Sequence, residues 1–406
     1  MIASHERRYE SLDGLRGVAA LTVVVYHALL VVPAISALYV DHTNPAPLSV
    51  AWWLYDTPLR LLFAGHEAVL VFFVLSGFVL VLPFLHRPPT GRSVLAYYGR
   101  RIVRLYVPVW AAVAFALILA LAVHRDPTLG GWLGTHRPPT GSNIWHDLVL
   151  VFGTSNLNSP LWSLTWEVWF SLLMPLMFLA IRVLRVDRWW WAAIPALMLL
   201  SALSRFDGVR RALPAAWLSA DLLQYLPIFA IGMLLAFNRD RIAAAADRIR
   251  TWWPIITGAL LLTVSPTIVA PNGPYSLPQA GGYLLSLVGV TIVVAAAFAS
   301  PARRALETRP VQWAGHRSFS IYLVHEPILV AAAILAGANS WWWLLLAAAL
   351  VPVILVTAAG FYRLVELPSI TLSRSVGRRL LGARKSPSSV PESKPEGDLR
   401  DDRALT

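Results

Sequence analysis

"LDGLRGVAALTVVVYHALLVV", residues 12–32, is an apolar run long enough to cross a bilayer, yet it carries Arg16 near its start and His27 deep inside it. On a helix, eleven residues make three turns, ~16 Å of rise, and return to within about 20° of the same face. One face therefore presents a cation at one rim and an imidazole in the greasy interior. An ionisable side chain in such a span is costly unless it faces protein or water, so its first reading is functional. A positive anchor plus a histidine satisfied inside a bundle is the alternative that the pair alone leaves open.

Composition extends this reading to the whole chain. Of 406 residues, 57% are hydrophobic and 14% charged, with a mean hydropathy of +0.60, which excludes an ordinary soluble globule. The sequence contains no cysteine, so disulfide scaffolds, thiolate nucleophiles and thiolate metal sites are excluded. The net charge of +12 comes from arginines grouped between apolar runs, where they orient spans in a membrane and do not call for nucleic acid. No metal site and no permanently bound cofactor is expected.

Apolar runs at about 15–37, 66–86, 104–124, 161–184, 189–204, 221–237, 252–270, 281–299, 317–337 and 341–364 predict an all-α bundle of about ten transmembrane helices. With the N-terminus in the cytoplasm, the even-numbered connections hold sixteen arginines against six on the other side, which places both termini inside. The expected localisation is the inner (plasma) membrane, multi-pass. The first run is longer than a signal-peptide core and more spans follow, so it is read as retained. Residues 1–370 read as one membrane domain and 371–406 as a cytoplasmic tail, disordered from about 386, where the chain is rich in Pro and Ser. The tryptophans and asparagines of the long external loop, about 125–160, suit interfacial anchoring or sugar contact.

Polar residues recur where the spans should be apolar. In "FAGHEAVLVFFVLSGFVL", residues 63–80, His66 and Glu67 stand at the outer mouth of the second span, and Ser76-Gly77 lies near its middle, where small residues also serve helix packing. "YYGRRIVRLYVPVW", residues 97–110, places Arg100, Arg101 and Arg104 at the inner end of the third span, suited to orientation or to phosphates. Glu167 lies about two turns, ~9 Å, inside the fourth span and needs a partner. "GHRSFSIYLVHEPIL", residues 315–329, carries His325 and Glu326, with Tyr322 one turn before His325.

Together these stretches resemble the membrane acyltransferase-3 family. "LDGLRGVAALTVVVYH" is similar to its arginine–ten–histidine signature, "FFVLSGFVL" to its second-helix motif and "RRIVRLYVP" to its arginine-rich third helix. "LWSLTWEVWF", "SFSIYLVHEPIL" and "YRLVELPS" follow in the family's order, so the resemblance runs from about Ser11 to Pro368. It implies an O-acyltransferase that moves an acyl group, acetyl in the simplest case, from cytoplasmic acyl-coenzyme A to a hydroxyl of an extracytoplasmic or membrane-linked carbohydrate or glycolipid. Arg16, Arg100, Arg101 and Arg104 would hold the donor, His27 would be required for transfer with Glu167 or His325 assisting, and His66, Glu67, Ser76 and Tyr322 would line the acceptor path. The resemblance does not extend to the soluble esterase-like domain fused in some members, so the second transfer step of those members is not expected. A proton-coupled secondary transporter would also use buried His and Glu, but no clear internal repeat is present. A non-catalytic glycan-binding scaffold would have no use for His27.

Overall fold

The computed structural model describes residues 9–40, 43–86, 89–126, 128–249, 252–264, 276–299, 301–337 and 340–382. Among them the chain is helical throughout and contains no strand. In chain order the helices are α1 (Glu10–Leu30), α2 (Pro33–Val40), α3 (Val50–Tyr55), α4 (Gly65–His86), α5 (Gly91–Ala122), α6 (Gly131–Gly134), α7 (Gly141–Val149) and α8 (Leu161–Val183). They continue as α9 (Trp190–Leu203), α10 (Asp207–Ala212), α11 (Ala216–Phe237), α12 (Arg239–Ile249), α13 (Trp253–Val264), α14 (Leu277–Ala299), α15 (Ala302–Leu306), α16 (Arg309–His316), α17 (Ser318–Leu335), α18 (Trp343–Phe361) and α19 (Leu367–Leu380).

Every apolar run of the sequence contains a helix, but eight among the described residues are long and apolar enough to cross a membrane, where about ten were expected. The fifth run forms only the 14 residues of α9, ~21 Å, and the seventh only the 12 of α13, ~18 Å; both are shorter than a ~30 Å hydrocarbon core. The remainder of the seventh run, 265–270, lies outside the described residues. The first run ends earlier than expected because Pro33 disfavours helical backbone at Val32, so the chain breaks after Leu30 and restarts as α2. The third helix begins earlier, at Gly91, where Thr90 and Ser93 form a reciprocal capping box. Arg100, Arg101 and Arg104 therefore lie a third of the way along α5. Residues 371–380, expected to open the tail, continue the last helix through a π-turn at Tyr362–Glu366 and pack along α5. The stretch from 386 lies outside the described residues.

Glycines set the two closest crossings. A Cβ on Gly77 would lie 2.0 Å from the Phe229 carbonyl oxygen, and one on Gly232 would lie 2.0 Å from that of Val74, so α4 and α11 touch backbone to backbone. At the second crossing, a Cβ on Gly17 would lie 2.5 Å from the Gly315 nitrogen. This pins α1 against the last turn of α16, just before α17 begins. Replacing Gly77 or Gly232 by valine should lower the thermal midpoint in detergent through overpacking of ~1–3 kcal/mol or more. Gly281→Ala, with nothing within 4 Å of the added Cβ, should leave that midpoint unchanged or raise it, as read by tryptophan fluorescence.

Candidate active site

From the Gly17–Gly315 contact, α1 and α17 run side by side, and ten residues further along each chain His27 meets His325. His27 Nδ1 and His325 Nε2 are 2.9 Å apart, and both residues are buried. The hydrogen bonds assign the protons. His325 Nδ1 lies 3.0 Å from the Ile321 carbonyl, which can only accept, so Nδ1 carries that ring's hydrogen and Nε2 offers a lone pair. His27 Nδ1 must then donate to it, which leaves His27 Nε2 unprotonated. The pair thus holds His27 in the tautomer of a base, the service a carboxylate performs in hydrolase triads.

The loop between α5 and α8 closes over this pair from one side. Pro327 has no N–H, so the Leu323 carbonyl one turn earlier loses its helical donor. Asn158 Nδ2 supplies the replacement at 2.9 Å. Beside it, the fully buried Glu326 accepts from the Ser159 N–H at 2.5 Å, from the Ser159 hydroxyl, and from His136 Nε2 at 3.0 Å. His136 Nδ1 donates in turn to the Trp132 carbonyl at 3.0 Å. The Trp132 N–H donates to Ser36 Oγ at 2.7 Å, and the indole stacks on His27 with centroids 5.7 Å apart and planes 27° apart. Trp132, expected as an interfacial anchor or sugar contact, is instead a wall of the histidine pair; Trp145 of the same loop is exposed.

The arginines divide into different roles. Arg101 pairs with Glu167, which also accepts from Ser76 at 3.0 Å, and Arg101 Nε donates to Ser171 at 2.8 Å. Glu167, considered as an assistant to His27, is therefore engaged by Arg101 and Ser76, with no contact to either histidine. Arg104, exposed as a whole residue, lies in electrostatic range of Arg16, Arg101, Glu167 and Glu366 and makes no ion pair or hydrogen bond among the described residues. Arg16 holds Asp13 at 3.3 Å, and Arg100 lies over Gly377 of α19. Glu366 is buried and accepts from Ser320 at 2.5 Å. On the other side of the bundle, His66 stacks on Trp162 at 6.4 Å and Glu67 pairs with Arg60 at 3.4 Å. Tyr322 bonds Ser163 at 2.7 Å and the Pro160 carbonyl at 2.8 Å, which ties α17 to the start of α8.

A helical membrane bundle with a base-configured histidine on its first long helix and a cluster of arginines on its first and third long helices invites comparison with known acyl-transfer proteins. The model of the Acyl_transf_3 acyltransferase domain matches residues 9–363. The chain belongs to this family. It is similar to acyltransferase MdmB of Streptomyces mycarofaciens, with 28% identity over 349 residues and 78% of each chain covered. It is also similar to O-acetyltransferase PaAT-1 of Phomopsis amygdali, with 32% identity over 149 residues, 34% of this chain and 28% of that one. No solved structure matches the chain.

This multi-pass membrane acyltransferase therefore contains a site that the motifs located only in part. His136 and Ser159 were not singled out, and Trp132 and Asn158 were read only as loop residues for anchoring or sugar contact, because they sit on a polar loop with no helical period; Glu366 stood out only within a family motif, because its burial depends on a helix 46 residues away. The single available signal was Pro327, whose orphaned carbonyl demands a donor from somewhere. Glu326→Leu should leave the His136 and Ser159 donors buried and unpaired, at ~1–3 kcal/mol each. The expected result is faster amide hydrogen exchange across residues 131–160, measured by mass spectrometry, with exchange in α14 unchanged.

Proposed function

We propose that this protein is an O-acyltransferase in which His27 Nε2 takes the proton of an acceptor hydroxyl while the oxygen attacks the thioester of acyl-coenzyme A. The oxygen–carbonyl bond forms, the carbon–sulfur bond breaks, and the departing thiolate recovers the proton from His27, so the enzyme ends as it began. The observation that carries this reading is the hydrogen bond from His27 Nδ1 to His325 Nε2, because it leaves the reactive nitrogen with a lone pair and no other duty. Trp132 and the loop over the pair keep water from competing as acceptor.

The donor enters from the arginine end, where Arg104 and Arg16 offer guanidinium groups to phosphates; Arg101, held by Glu167, adds to the field without being free to clamp. On the ten-span reading of the sequence, the clustering of arginines on one side supports a cytoplasmic position for that end and for both termini. The acceptor comes from the opposite face and is a hydroxyl-bearing molecule; the similarity to an O-acetyltransferase favours acetyl as the group transferred.

Purified protein in nanodiscs with labelled acetyl-coenzyme A and an extract of the envelope glycolipids tests the scheme. His27→Asn should lower label transfer by ~10²–10⁴. His325→Leu should lower kcat by about tenfold or more with the KM for acetyl-coenzyme A unchanged, and His325→Gln, whose amide oxygen can accept from His27 Nδ1, should recover part of the loss. Transfer at the wild-type rate in His27→Asn would overturn the scheme, and solute flux across proteoliposomes without acylation would point to a transporter.

A further inference from the structure

One buried cation takes no part in this scheme. Arg60 lies in the 3-10 turn Pro58–Phe63 between α3 and α4, and only 8% of it is exposed. Its Nη2 reaches Glu67 at 3.4 Å, and its guanidinium stands 5.2 Å from the Tyr55 ring centroid. Nε and Nη1 are buried and meet no acceptor among the described residues. His66, next to Glu67 in the chain, also has a buried Nε2 that meets no partner among the described residues. An unmet donor on a buried charge costs more than the ~1–3 kcal/mol of a neutral group. The two unmet Arg60 donors mark a place where the fold expects oxygen atoms that the described chain does not supply.

The location ties this corner to the transfer site. The Tyr26 ring lies 5.2 Å from that of His27 and 5.4 Å from that of Tyr39, and Tyr39 lies 6.0 Å from Tyr55, which carries Arg60. An unbroken row of aromatic rings thus leads from the base to the unmet donors. Room for it is built in, because a Cβ on Gly65 would sit 2.4 Å from the Tyr26 ring.

We infer that the Arg60 corner is the acceptor-binding site and that it selects an uncharged, ring-shaped molecule with several oxygens, held by Arg60 and Glu67 and lying along Tyr26, Tyr39 and Tyr55. The inference rests on the reading of His27 as the base. Open donors on two edges of the guanidinium ask for more than one oxygen, and the Glu67 carboxylate offers an acceptor for a hydroxyl in return. Glu67 also balances the charge of Arg60, so an anionic acceptor would gain no net attraction and would place its charge against a carboxylate. The tyrosine rings take the apolar C–H faces of a ring.

The test uses the full chain in nanodiscs, labelled acetyl-coenzyme A, and two probes of one shape, p-nitrophenyl β-glucopyranoside and the corresponding glucuronide. The wild type should acetylate the neutral glucoside with a KM about tenfold or more below that of the glucuronide. Arg60→Met should raise the glucoside KM by about tenfold or more, the loss of a charged hydrogen bond, and remove the preference, while the KM for acetyl-coenzyme A stays the same. Because Arg60→Met strands Glu67, the double variant Arg60→Met with Glu67→Leu is measured beside it; exchanging a buried pair for apolar groups preserves folding, and the double variant should show the same kinetic loss. Wild-type acceptor kinetics in both variants would mean that water meets the Arg60 donors, and the inference fails. No transfer to the glucoside, or a preference for the glucuronide, overturns the ligand class. His27→Asn separates the two readings, since full transfer there sinks the base assignment, whereas its loss beside intact Arg60 variants sinks only this site.

Discussion

Glu326 and Pro327 are adjacent, and together they fix a whole loop inside a membrane bundle. The proline strips the Leu323 carbonyl of its helical donor, and the glutamate places a carboxylate where no water can solvate it; both groups then require partners from elsewhere in the chain. Asn158, Ser159 and His136 answer that requirement. A break in one helix thereby becomes the anchor of a second element, and Trp132 arrives over His27 as a consequence of that anchoring.

The same necessity organises the rest of the polar interior. Arg101 and Glu167 satisfy one another and recruit Ser76 and Ser171, which welds α4, α5 and α8 into a frame. Pro175 exposes the Ser171 carbonyl, and the Tyr97 hydroxyl covers it at 3.2 Å. His66 Nε2, Asn158 Oδ1, Thr165 Oγ1, Ser286 Oγ and Arg317 Nε are buried without a partner among the described residues, and three other groups stand out by their position. Arg104 is a cation unpaired among the described residues beside paired ones, His27 Nε2 is the free nitrogen of a paired ring, and Arg60 has donors that nothing in the described chain meets. These three lie along the donor, transfer and acceptor parts of the proposed reaction.

Rigid packing makes such distinctions possible. The backbone contacts at Gly77 with Phe229 and at Gly17 with Gly315 leave no space for sliding, so the level at which His27 and His325 meet is set by the crossing of their helices. A side chain shifted by one helical residue rotates by about 100° and would lose its partner. Precision at the histidine pair thus derives from glycines ~15 Å away along α1.

Much of this was legible in the amino-acid order. Apolar runs announce helices because lipid tolerates little else, and an ionisable residue within such a run stands out against its neighbours, which is how His27, Glu167 and His325 declared themselves. Local rules also explain the start of α5 at its capping box and the end of α1 before Pro33. Partnership was not legible. Whether Glu167 faced His27 or Arg101, and that His136 would reach Glu326 across 190 positions, depended on how helices cross and how a loop folds back among them. Hydrophobic periodicity reports which residues leave water, a property each segment carries by itself. Which buried polar groups meet is decided only when the helices pack, since a hydrogen bond needs its two atoms within about 3 Å and the chain sequence contains no such distance.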